Sequence, residues 1–151
     1  MPYETRLFIK TGMACLVLTF AIGAVLLILA AVGRPAPYVF QVEHAHLGFV
    51  GWLVNVVMGV ALWMFPLDQG RYPRTRGRYS TPLVIWIYLL LNSGLLVRLL
   101  IEPTAAFGKL HGAGAALLIA AALAQFLAIA LFVATIWSRV RSPSQAAPGL
   151  R

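Results

Sequence analysis

Three histidines hold almost all of the ligand chemistry in this 151-residue chain. His44 and His46 lie in the run His44-Ala45-His46-Leu47-Gly48-Phe49-Val50-Gly51-Trp52, at the start of one apolar segment, and His111 opens another. Neutral imidazole ligates heme iron and other transition metals, and it exchanges protons near neutral pH. The other reactive side chains are sparse. Glu43, Asp68 and Glu102 read as dispersed loop or interface residues, and no nucleophile–base pair is visible, which disfavours hydrolysis. Cys15, the single cysteine, falls inside an apolar run and reads as a small buried hydrophobe without a disulfide partner.

The elements that must position the histidines follow from composition. The chain is 61% hydrophobic and 11% charged, and its apolar runs are long enough to cross about 30 Å of hydrocarbon. They predict helices over 7–32, 46–65, 82–101 and 112–137. This makes an all-α, integral membrane four-helix bundle over residues 1–141, followed by a disordered cytoplasmic tail over 142–151. The first run follows Arg6 and Lys10 but exceeds a signal-peptide core, so it reads as a retained helix.

The net charge of +8 is placed asymmetrically. Arg71, Arg74, Arg76 and Arg78 crowd the connection between helices two and three. Arg6 and Lys10 flank the first helix, and Arg139, Arg141 and Arg151 lie near the C-terminus. Only Arg34, Arg98 and Lys109 fall on the other side. The positive-inside rule then predicts both termini in the cytoplasm (N-in/C-in) and a multi-pass protein of the cell inner (plasma) membrane. Trp63, Trp86 and Trp137 fall at the same interface, as an aromatic belt does. The arginine loop is a topology signal first, an anionic-lipid contact second, and no nucleic-acid partner is expected. In this topology His44, His46 and His111 gather at one depth, the outer end, which is the main internal argument for a site.

Residues two apart on an α-helix point about 200° away from each other. His44 and His46 therefore serve opposite faces unless the chain is extended there. Gly48, Gly51, Asn55, Met58 and Gly59 share the His44 face, a small surface suited to a close helix or a flat macrocycle. Val50, Leu53, Val57, Val60 and Met64 share the His46 face, and a histidine on that side needs a partner, a cofactor or interfacial water. On helix four, Gly112, Ala116, Ala120, Ala124 and Ala128 form a small-residue ridge expected to pack against a neighbour. Asn55, Asn92 and Gln125 are expected to bond between helices.

The pattern His44-Ala-His46-x-Gly48-x-x-Gly51-Trp52, with Gly59, Trp63 and Pro66, resembles the tenth helix of the catalytic subunit of cbb-type heme-copper oxidases. Leu91-Asn92-Ser93-Gly94-Leu95-Leu96-Val97-Arg98 is loosely similar to the following helix in small single-domain relatives of that superfamily, which includes the nitric oxide reductase-like proteins. In that family the first histidine ligates the high-spin heme and the second the low-spin heme, from opposite faces. The resemblance implies heme b held through His44 and His46, with His111 as the remaining imidazole and Arg34 and Arg98 placed to pair with heme propionates. The chain has no His-His pair for the oxidase copper, so a complete oxygen or nitric oxide reductase is not expected.

The expected function is therefore a small membrane b-type cytochrome. It would act in electron transfer or in binding or sensing a diatomic gas (O2 or NO), with a quinone as another possible partner. It is expected as a homodimer or with a respiratory-complex partner, and not as a complete enzyme. Two alternatives are a copper- or zinc-handling membrane protein and a non-catalytic assembly subunit of a respiratory complex.

Overall fold

The computed structural model describes residues 1–108 and 112–140. His111, Lys109 and the tail over 142–151 lie outside the described residues. Among the described residues there are four long helices and no strand. Helix α1 spans Tyr3–Ala31, α2 spans Tyr38–Met64, α3 spans Thr81–Ile101 and α4 spans Ala113–Ile136. All four are long and apolar enough to cross a membrane, which is the architecture of a multi-pass membrane protein. Short 3-10 turns extend α3 over Glu102–Ala106 and α4 over Trp137–Arg139.

Local sequence explains the breaks. Pro66 disfavours the helical conformation at Phe65, which is extended (φ −66°, ψ 144°), so α2 stops there. Pro37 precedes the first residue of α2, where a missing N–H costs nothing. Helix α2 begins at Tyr38, well ahead of the expected start, so both His44 and His46 sit inside regular helix.

The helices pack as two hairpins, α1 with α2 and α3 with α4. They share one core near the arginine loop, where Phe8, Met58, Leu62, Tyr79, Val84, Ile87, Leu91, Ala128 and Phe132 are buried together. Phe8 meets Tyr88 edge to face, with centroids 5.2 Å apart. Towards the histidine end α1 is more exposed, and none of its residues beyond Gly12 is buried. Hydrophobicity does not drive helices together in lipid, so close backbone approach must supply dispersion contact. Gly12, Gly48, Gly51 and Gly59 bring α1 and α2 together. A Cβ at Gly59 would lie 2.8 Å from Ile9 Cγ1, and one at Gly12 would lie 2.6 Å from Val56 Cγ2.

The ridge expected on α4 meets a neighbour only in its C-terminal part. Ala128 is buried and Ala124 half-buried, but Gly112, Ala116 and Ala120 are exposed. A four-residue step on an α-helix overshoots a full turn by about 40°, so the series winds off the interface. The buried series is Ala121, Ala128, Phe132 and Thr135. Gly94 of α3 faces it: a Cβ there would stand 2.8 Å from both the Ala121 carbonyl and Gln125 Cγ.

Candidate functional site

The middle of α2, Leu47–Val54, is a π-helix. Its wider turn absorbs the overshoot that misplaces the α4 ridge, so Glu43, Leu47, Gly51 and Asn55, spaced by four, are all buried. Asn55 anchors the π segment, donating from Nδ2 to the carbonyls of Val50 (3.0 Å) and Gly51 (3.1 Å). It also forms a reciprocal amide pair with Asn92 of α3, each Nδ2 donating to the other's Oδ1 at 3.1 Å. The interhelical bonding expected of Asn55 and Asn92 is present. Gln125 instead packs over Gly94, and its buried Nε2 has no hydrogen bond.

Immediately ahead of the π segment, His44 and His46 diverge to opposite sides of α2, as their spacing demands. The His44 ring packs on α1. Its Cε1 lies where a Cβ on Gly23 would come within 2.8 Å, so a larger residue there would require the imidazole or the helix to shift. The buried Nδ1 of His44 has no hydrogen-bond partner. An unsatisfied buried polar atom costs about 1–3 kcal/mol, so this ring is held at a penalty. The ring also walls a groove of about 410 Å3 with Thr19, Phe20, Gly23, Ala24 and Leu27. Thr19 commits its hydroxyl to the Cys15 carbonyl at 2.7 Å, leaving a lining that is apolar except for the imidazole.

His46 is half-buried, and its Nδ1 lies 3.0 Å from the Val42 carbonyl. A carbonyl only accepts, so Nδ1 is the donor in this contact. Metal-ligating histidines adopt this arrangement, with one ring N–H on a backbone carbonyl and the other nitrogen available.

A polar cluster stands beside His46. Arg98, in the last turn of α3, donates from Nε (3.0 Å) and Nη2 (2.7 Å) to Glu102 Oε2. Glu43 is 5% exposed, and neither of its buried oxygens makes a well-formed hydrogen bond. Glu102 lies beside it, and Arg98 and His46 are within electrostatic reach of the two carboxyls. The carboxylates read from sequence as dispersed are in fact adjacent here, because α2 packs on the turn that follows α3. Glu102 now occupies the guanidinium expected to meet propionates, and Arg34 is exposed in the turn after α1, where Gly33 has φ +73°.

Among the described residues, no three His, Cys, Asp or Glu side chains gather as a metal site. His44 offers a single imidazole on an apolar wall, which suits a macrocycle bringing its own equatorial ligands better than a bare ion. No family model, curated protein or solved structure matches the chain.

Sequence reasoning missed the π-helix, the Glu43–Glu102 contact and the burial of Arg139. The four-residue series Glu43, Leu47, Gly51, Asn55 was the available signal for the first. For the second, Glu43 needed to be read as helical.

Proposed function

We propose that this chain is a membrane b-type heme protein, with His44 as the ligand on the α1 side of α2 and His46 serving the opposite face. The observation that carries the reading is the His44 ring: a buried nitrogen without a partner, seated over Gly23 on the wall of an apolar groove. The groove's size falls among ordinary ligand pockets, about 300–1,000 Å3. The His-x-His pattern and its following glycines, similar to the ligand helix of the heme-copper oxidases, point the same way. A bound heme would supply one-electron transfer or a coordination position for a diatomic gas.

The chain's own residues have distinct tasks in this reading. His44 would hold the iron through an imidazole nitrogen, which would give this unpartnered ring a polar contact. Gly23 keeps the ring's position clear. Thr19, Phe20, Ala24 and Leu27 would exclude water, and the Val42 carbonyl orients the His46 ring. Arg98 would have to share its guanidinium between Glu102 and a propionate. Phe20 and Leu27 are each 72% exposed, so the groove opens sideways, towards lipid or a second copy of the chain. The N-in/C-in orientation, an inner-membrane location and a homodimer belong to this proposal.

The test is a reduced-minus-oxidised spectrum of the protein purified from heme-replete cells. A Soret and α band is expected, lost or shifted in His44→Ala. Absence of both bands in the unmodified protein overturns the reading.

A further inference from the structure

The arginine loop between α2 and α3 is folded rather than a slack tether. The Asp68 N–H donates to the Gly77 carbonyl at 2.6 Å and the Gly77 N–H to the Tyr72 carbonyl at 2.8 Å. Gly77 has φ +81°, and a Cβ there would lie 2.9 Å from the Gln69 nitrogen, so this closure requires glycine. Tyr79 is 1% exposed, bonds Thr5 of α1 through its hydroxyl at 3.1 Å and lies under the Arg139 guanidinium.

Fixed in this way, the loop and the start of α3 enclose a groove of about 420 Å3. It is lined by the cationic Arg71 and Arg74, the hydroxyl-bearing Tyr72, Thr75, Ser80 and Thr81, and by Pro73 and Pro82. No carboxylate lines it. Two buried acids stand behind its walls: Asp68 Oδ1 accepts the Arg71 backbone N–H at 3.2 Å, and Glu4 accepts the Thr81 hydroxyl at 3.5 Å. Ser80 makes no side-chain cap on α3. The N–H groups of Thr81 and Leu83 therefore lack intrahelical acceptors, and the positive end of the helix dipole points at the groove.

Position and shape select the occupant. The groove lies where the apolar spans end, at headgroup depth. Pro82, Trp86 and Leu89 follow on one stripe of α3, leading from the groove into the hydrocarbon, and Trp86 and Leu89 are 62% and 46% exposed. A cationic, hydroxyl-rich head site continuous with an apolar, lipid-facing stripe is complementary to one kind of molecule. We propose that this groove binds the phosphate of an anionic phospholipid, with Arg71 and Arg74 as its cationic contacts and the acyl chains along the Pro82–Trp86–Leu89 stripe. The site is independent of any heme.

The test uses the full chain in phosphatidylcholine nanodiscs, with or without phosphatidylglycerol, and measures retained lipid by native mass spectrometry. Phosphatidylglycerol should be retained selectively. The R71Q/R74Q double variant should weaken retention by about thirty-fold, the contribution of two arginines at an anionic surface. The charge-matched R6Q/R78Q variant, whose arginines are exposed at the same end outside the groove, should weaken it far less. Equal losses in the two variants overturn the proposal, because they mean diffuse attraction. Displacement of the lipid by inorganic phosphate at comparable concentration also overturns it, because the ligand is then a free anion.

Discussion

Replacing Gly23 by alanine tests the seat of His44 directly. The new Cβ would stand 2.8 Å from His44 Cε1, whereas carbon atoms prefer at least about 3.5 Å, so ring or helix must yield by ~0.7 Å. Overpacking of this kind costs about 1–3 kcal/mol. Alanine also removes the roughly 1 kcal/mol penalty of glycine in a helix, so the net loss should be about 0–2 kcal/mol. The clash depends on the imidazole. In a His44→Ala background, Gly23→Ala should therefore stabilise by up to ~1 kcal/mol, which gives the two positions a coupling of about 1–3 kcal/mol. The displacement also exceeds the ~0.5 Å tolerance within which a ligand must be held, so heme content should fall. Unfolding in mixed micelles for the four proteins of the cycle, with heme absorbance recorded on each, supplies both readouts. Additive stabilities together with unchanged heme absorbance in Gly23→Ala would refute the reasoning.

A second cycle on Asn55→Leu and Asn92→Leu should return a coupling of about 1–2 kcal/mol, from two reciprocal amide bonds at about 0.6 kcal/mol or somewhat more each; independent effects in the same unfolding assay would contradict the pairing. Arg139 donates to the carbonyls of Leu62, Phe65 and Pro66 at the end of α2. Arg139→Gln should cost about 2–4 kcal/mol, since it strands buried acceptors that a charged donor now satisfies, and a thermal melt unchanged from the parent would count against this cap. Burial, and secondarily the nearby Glu4 charge, raises the Tyr79 phenol above its ordinary pKa of 10.0 against a lowering by Thr5. The folded state then holds its proton more tightly than the unfolded chain, so the stability it contributes is intact below pH 10.0 and is lost as pH rises towards the folded value. Tyr79→Phe should flatten that alkaline decline, and parallel pH–stability curves would exclude Tyr79 as its source.

The four spans were legible because an uninterrupted apolar run is a signal of length and composition, needing no knowledge of partners. Part of the inward face of α2 was legible for a similar reason: Gly51, Asn55, Met58 and Gly59 carry small and polar groups that lipid would penalise, whereas His44 and Gly48, expected on the same face, give way there to the buried Glu43 and Leu47. What could not be read was anything set by the pitch of the backbone. A four-residue series marks a packing face on a π-helix and a wandering stripe on an α-helix, and Gly51–Asn55 and Ala116–Ala120 look alike until the hydrogen-bond register is known. The Glu43–Glu102 contact and the cap by Arg139 depend on how one helix end meets another across the bundle. Charged residues at those ends look like topology signals or loop residues in a linear reading, although Arg139 is 1% exposed and Glu43 is 5% exposed.

The central claim is that the His44 groove holds heme, and a pyridine hemochrome assay with a heme-to-protein ratio tests it most directly. For protein purified from heme-replete cells, heme b should be present in fixed proportion to the chain. His44→Ala should lower the ratio or shift the spectrum, while Arg71→Gln, far from the groove, should change neither. A protein that folds normally with no heme b, or with the same heme b after His44, His46 and His111 are all replaced by glutamine, would contradict the account.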